Sequence, residues 1–184
     1  MVALADVVPA ALAAVPQEHR DPGREMAPEG PLDADLVLVG EAPGANEAET
    51  GRPFVGRAGD VLDAALAAAG IDRASVYITA VVKTRPPDNR DPHRAELDAW
   101  RPVLEAELAL VDPRGVVALG AVATRELLGT DRRITDLRGR VVERARERWW
   151  ILPTFHPAAI LYDPDKRADL ERDLQQAGER LSVR

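Results

Sequence analysis

Four apolar residues in unbroken succession, Leu36-Val37-Leu38-Val39, run directly into Gly40. A strand with one wet face alternates apolar and polar residues, so a short continuous run points to a strand covered on both faces. The pattern recurs at Val76 to Val82 and at Gly115 to Leu119, and Val141-Val142 and Trp149 to Leu152 are the last strand candidates. Helical spacing separates these runs. Val61, Leu62, Ala65, Leu66 and Ala69 form one stripe, ended by Gly70. Leu97, Trp100, Leu104, Leu108 and Val111 form another, expected to be capped by Asp91, started by Pro92 and kinked at Pro102. Ala121 to Leu128 is expected to be a short helix. A terminal helix from Asp163-Pro164 turns Leu170, Leu174, Ala177 and Leu181 inward. Strands alternating with helices predict an α/β fold, a three-layer α/β/α sandwich around a mainly parallel sheet.

The chain's 184 residues suffice for one full core. The expected organisation is an N-terminal helix (Leu4 to Val15) and a loose Pro/Gly-broken arm over residues 1–32, then one domain over 33–184. No apolar run is long enough to cross a bilayer as a helix, so no membrane partner is expected. The first residues lack a basic n-region and carry Asp6, unlike a secretion signal, and the expected address is cytoplasmic. With 24 basic against 31 acidic residues the net charge is −7, which argues against a non-specific nucleic-acid coat but leaves room for a local basic face. Cysteine is absent, which excludes disulfides, a cysteine nucleophile and thiolate-held metal or iron–sulfur centres. The three histidines are scattered and show no metal-ligand spacing. No cofactor is expected.

In a parallel sheet, ligands bind beyond the carboxyl ends of the strands. Three unusual loops should meet there: Gly40-Glu41-Ala42-Pro43-Gly44 through Gly59, Lys83 through Arg90, and Thr154-Phe155-His156-Pro157. Phe54 lies among polar and glycine residues in a chain with seven aromatics, and reads as a platform for a planar ring. Glu41, set between a buried strand and a Gly-Pro turn, reads as a fixed carboxylate, whereas Glu49 reads as solvated surface. His156 stands at a strand end with its backbone pinned by Pro157, and reads as functional. His19 and His93 read as solvated.

These motifs resemble family 4 of the uracil-DNA glycosylase superfamily. The resemblance rests on Gly40 to Gly44, Thr50 to Gly59, Val81-Val82-Lys83, Arg85 to Pro92 and Phe155 to Ala159, in that order between about Asp35 and Tyr162. It implies a base-excision repair enzyme that flips uracil from DNA and hydrolyses its N-glycosidic bond. Carried over by position, Phe54 would stack on the base and His156 would donate to uracil O2. Glu41 with Gly40 and Ala42 would shape the pocket and place water near C1′. Glu47 would pair with Asn89 and tie the first loop to the second. Arg52, Arg57, Lys83, Arg85 and Arg90 would contact DNA phosphates, and Ile160, Leu161 or Tyr162 would wedge behind the flipped base. The implied partner is DNA, single- or double-stranded, carrying uracil or another deaminated base, bound by a monomer.

Two departures stand out. The family's iron–sulfur cluster uses four cysteines, two upstream of the first strand and two at positions matching Thr84 and Trp100; none is present, and Trp100 is expected to fill the vacated volume. The family's base-reading asparagine before Val81-Val82-Lys83 is Ala80 here. The branch that crosslinks to uracil-DNA carries a basic insertion that this chain lacks. The alternative reading is a non-cleaving binder of uracil or damaged DNA with the same fold. A phosphate binder built on Gly40 to Gly44 ranks last, for want of a Walker-type lysine and serine.

Overall fold

The computed structural model describes residues 13–20, 24–143 and 148–183. The expected helix over Leu4 to Val15 falls almost wholly outside them. Five strands form one sheet among the described residues: β1 (Leu36–Gly40), β2 (Tyr77–Ala80), β3 (Gly115–Leu119), β4 (Val142–Glu143) and β5 (Trp150–Thr154), in the order β2-β1-β3-β5-β4. All neighbours are parallel except β4, which pairs antiparallel with β5. The helices are α1 (Ala45–Thr50), α2 (Arg57–Ala68), α3 (Arg94–Val111), α4 (Ala121–Leu128), α5 (Ile134–Leu137), α6 (Pro157–Ile160) and α7 (Arg167–Ser182).

The layers account for the continuous apolar runs. Val37, Val39, Tyr77, Val116, Ala118 and Ile151 pack with α3 and α4 on one face. Their neighbours Leu36, Leu38, Ile78, Val117, Leu119 and Leu152 pack with α2 and α7 on the other. Each strand residue is buried whichever way it points, so polar alternation is lost. Chain order sets the site: β1 leads outward to β2, and the chain then returns across β1 to β3. The crevice at this reversal lies at the carboxyl ends of the strands. The register levels those ends, with Gly40 beside Ala80 and Leu119 beside Thr154.

Several details differ from expectation. α1 falls in a segment whose sequence predicts only loop, because six residues without an apolar stripe carry no periodic signal. β2 stops at Ala80, and the N–H groups of Val81 and Val82 donate to the carbonyls of Gly40 and Glu41. His93, not Asp91, is the N-cap of α3, and Glu96 accepts from its N–H at 2.7 Å. The last helix starts at Arg167, after a single tight turn over Pro164–Lys166.

The arm was expected to be loose, but much of it is stitched down. Met26 N–H donates to Lys83 O, Ala27 N–H donates to Gly51 O, and Glu29 exchanges two backbone bonds with Ile78. Further upstream, the His19 carbonyl accepts from Thr84 Oγ1 at 3.1 Å and Trp100 Nε1 at 3.0 Å. The indole of Trp100 is fully buried in the core beneath α3.

Candidate active site

A cavity of about 380 Å³ opens where the three loops meet. Gly40, Glu41, Ala42, Glu47, Phe54, Ala80, Asn89, Arg90, His156 and Tyr162 all line it. Every residue singled out for base contact or catalysis is therefore brought to one place.

Phe54 is held by its backbone. Its φ is +51°, an uncommon conformation for a residue with a bulky side chain. Two glycines make room for it. A Cβ on Gly59 would sit 1.9 Å from the Phe54 carbonyl oxygen, and one on Gly40 would come within 3.0 Å of the ring. Glu47 closes the turn: its Oε1 accepts from Val55 N–H at 3.1 Å and Gly56 N–H at 3.3 Å. The expected pairing of Glu47 with Asn89 is replaced by this contact. Asn89 Oδ1 instead accepts from Arg85 Nε at 2.7 Å, which closes the second loop on itself.

The Phe54 ring lies 5.6 Å from the His156 imidazole, tilted by 32°. His156 is the N-cap of α6, and its Nδ1 accepts from Ala158 N–H at 3.1 Å. Acceptance at Nδ1 puts the proton of the neutral ring on Nε2. Burial lowers the His156 pKa from 6.5 to about 4, against a smaller raising effect from Glu47. At neutral pH the residue is thus an uncharged donor. Glu41 shows the mirror effect. Burial, helped by the charge of Asp91 and opposed by Arg125, raises its pKa from 4.5 to about 7.

Of the five cations expected at DNA, Lys83 is misplaced. Its side chain is buried, and Nζ donates to Glu107 Oε2 at 2.9 Å, Thr79 Oγ1 at 2.7 Å and Ala80 O at 2.5 Å. A buried ammonium needs such a set of acceptors, and Glu107 supplies the counter-charge from α3. Lys83 therefore props the floor of the pocket from behind. Arg90 pairs through both terminal nitrogens with Glu96, and Arg52 pairs with Glu29. Arg57 is exposed, with no hydrogen-bond or ion-pair partner among the described residues.

The three wedge candidates separate clearly. Ile160 is 2% exposed and belongs to the core, and Leu161 packs against the same cluster. Tyr162 is 89% exposed at the cavity rim, the only one of the three free to enter a base stack. The sequence reading missed Met26, which lines the cavity from the arm, and it missed the charges of Asp91 and Arg125 acting on Glu41. Met26 sits between prolines without periodicity, so no local signal marks it.

Thr84 and Trp100 bind a carbonyl oxygen with an O–H and an N–H, and neither is an iron ligand. With no cysteine in the chain, these residues do not fit a thiolate-held cluster. Among the described residues, no group of three or more His, Asp or Glu could hold a metal ion.

The family model described as Uracil DNA glycosylase superfamily matches residues 27–178. A protein from Pyrobaculum aerophilum named Type-4 uracil-DNA glycosylase is 41% identical over 152 residues, spanning 79% of this chain and 78% of that one. One of the same name from Thermotoga maritima is 45% identical over 134 residues, spanning 72% and 69%. A second Pyrobaculum aerophilum protein, named Type-5 uracil-DNA glycosylase, is 34% identical over 155 residues, spanning 75% and 67%.

Proposed function

The chain belongs to the uracil DNA glycosylase superfamily, and from that premise we propose that it is a monofunctional uracil-DNA glycosylase of base-excision repair. The supporting observation is the meeting of Phe54, Glu41 and His156 in one cavity at the carboxyl edge of the sheet. A flipped uracil stacks on Phe54. The bond between its N1 and the sugar C1′ breaks, and the electron pair leaves with the base as an anion. The neutral His156 donates from Nε2 to O2 as that charge gathers. Glu41, ionised, faces the cationic sugar and holds the water that adds to C1′. The water gives up one proton as it adds, and one is taken up by the departing base.

A neutral imidazole suits the task. It donates without carrying a charge that the buried pocket would have to solvate, and its hydrogen bond strengthens as the acceptor becomes anionic. Arg52, Arg57, Arg85 and the rim around Tyr162 are proposed to hold the DNA backbone, and no metal or cofactor is assigned a role. Uracil is the proposed base, although Ala80 offers only a methyl group at the pocket floor.

The decisive measurement is abasic-site formation on single- and double-stranded oligonucleotides carrying uracil, hypoxanthine or xanthine. Cleavage of the uracil strands is the expected result. Retention of uracil-DNA without cleavage would replace this reading with that of a binder.

A further inference from the structure

The Ala158 N–H orients the imidazole from within the cavity, but it does not hold the strand end from which His156 projects. Behind it lies a chain of buried polar groups that the chemistry above leaves unused. Thr154, at the end of β5, is fully buried, and its Oγ1 donates to Asp173 Oδ2 at 2.6 Å. Asp173 is a carboxylate at 1% exposure on α7, and it receives Arg138 through Nη2 at 2.5 Å and Nε at 3.0 Å. The Arg138 guanidinium also stands 5.7 Å from the ring centre of Phe155, the residue between Thr154 and His156. A helix interior rarely keeps an acid unless it is paired and hydrogen-bonded on every side, as this one is.

The other side of the histidine is set by Gly120. Its φ is +94°, its N–H donates to Thr154 O, and a Cβ there would fall 2.9 Å from His156 Cβ. His156 thus occupies a slot with the Gly120 backbone behind it and Phe54 in front. The segment that enters this slot is bolted to α7 two residues earlier.

We propose that Thr154, Asp173 and Gly120 are positioning residues for His156, which set the aim of its Nε2 without touching the substrate. The proposal rests on the glycosylase reading for its kinetic consequence only. A displacement of about 1 Å at a reacting group can cost on the order of a hundredfold in rate, so a partial loosening should be visible.

The test compares Thr154→Val and Thr154→Ser by three readouts: the single-turnover rate at saturating uracil-DNA, the DNA dissociation constant, and the imidazole nitrogen shifts of His156 in the free protein. Thr154→Val is expected to lower the rate roughly tenfold, leave the dissociation constant unchanged and move the shifts. Thr154→Ser, which restores the hydroxyl, should return both rate and shifts toward the parent. Gly120→Ala should give the same signature more strongly, and it decides the matter should Thr154→Val fail to fold. A lower melting temperature with parental rate and shifts would mean a structural role alone and would overturn the proposal. If the parent does not cleave uracil-DNA, the glycosylase reading fails by itself, and the shifts still decide whether these residues aim His156.

Discussion

The two sides of the pocket are built by different means. The first loop, from Gly40 to Gly59, is shaped by its backbone: a positive φ at Phe54, glycines that leave room for it, and Glu47 gathering two N–H groups. The opposite side is bolted by ion pairs on buried carboxylates, the fully buried Lys83 with Glu107 behind β2 and the partly exposed Arg138 with Asp173 behind β5. The backbone-built loop is half-exposed, and it presents the ring that must meet an incoming base. A wall anchored by buried charges resists displacement, and it carries the donor that must already be aimed when the bond breaks. The contrast teaches that stability and chemistry should separate when each side is perturbed.

The largest expected effect belongs to the bolted wall. Lys83→Ala leaves Glu107 charged and unpaired in the core, which should cost about 3–5 kcal/mol of stability. Urea unfolding would show this as a large drop in midpoint. Glu47→Ala, on the backbone-built side, should lower the midpoint much less while weakening cleavage, because Phe54 loses its clamp. Equal midpoints for the two variants would break the comparison.

Lys83 also marks where the sequence stopped being legible. Its place just past a strand, beside Arg85 and Arg90, made it look like a phosphate contact. Its counter-ion lies 24 residues away on α3, where Glu107 adjoins the apolar stripe of Leu104, Leu108 and Val111. An acid on that stripe was the available signal for a buried pair. The sheet and the long helices were legible because double-sided burial and helical spacing both leave continuous marks. The meeting of Phe54, Glu41 and His156 was legible because Glu41 and His156 follow strand ends and Phe54 stands out as an aromatic in the glycine-rich loop that leaves β1. Met26 and the Glu47 clamp were not, since each depends on tertiary placement of a segment without periodicity.

His156→Ala should come next in size. Removal of one preorganised donor is expected to lower the cleavage rate on the order of a hundredfold or more. DNA affinity should barely change, because charge reaches O2 only in the transition state. Phe54→Ala should instead weaken flipped-base binding by roughly 1–3 kcal/mol, since stacking operates before the bond breaks. Single-turnover kinetics over a DNA titration separates the two. A His156→Ala variant with parental rate and weakened binding would reverse the roles of the two walls.

Glu41 and His156 sharpen the comparison through pH. The Glu41 pKa rises on folding, from 4.5 to about 7. Its contribution to stability is therefore fully present below about 4.5 and lost as pH rises through about 7. His156 falls from 6.5 to about 4, so its contribution is present above about 6.5 and lost as pH falls through about 4. Glu41→Gln should then melt higher than the parent above pH 7 and like it below pH 4.5. Its cleavage should be slower by about tenfold, equivalent to ~1.4 kcal/mol of lost charge stabilisation. The parental rate should climb toward pH 7 as Glu41 ionises, and the variant's should not. A parental profile flat from pH 5 to 8 would remove Glu41 from the chemistry.

The smallest effect concerns the outer face of the backbone-built loop. Arg57 is exposed and unpaired among the described residues, at the first turn of α2. Arg90, on the second loop, already shares its charge with Glu96 through two hydrogen bonds. A phosphate contact releases bound counter-ions only when the cation brings uncompensated charge to the duplex. Arg57→Ala should therefore reduce the slope of log affinity against log salt by roughly 0.9 on double-stranded DNA. Arg90→Ala should reduce it by less, because the charge of Arg90 is already compensated by Glu96. Lys83, buried and paired, should contribute nothing to the slope, so a variant that keeps its fold, such as Lys83→Met paired with Glu107→Leu, should bind with the parental salt dependence. Binding titrations at four or five salt concentrations would rank the three. A parental slope for Arg57→Ala alongside a flattened one for the Lys83 double variant would move the DNA face away from the first loop.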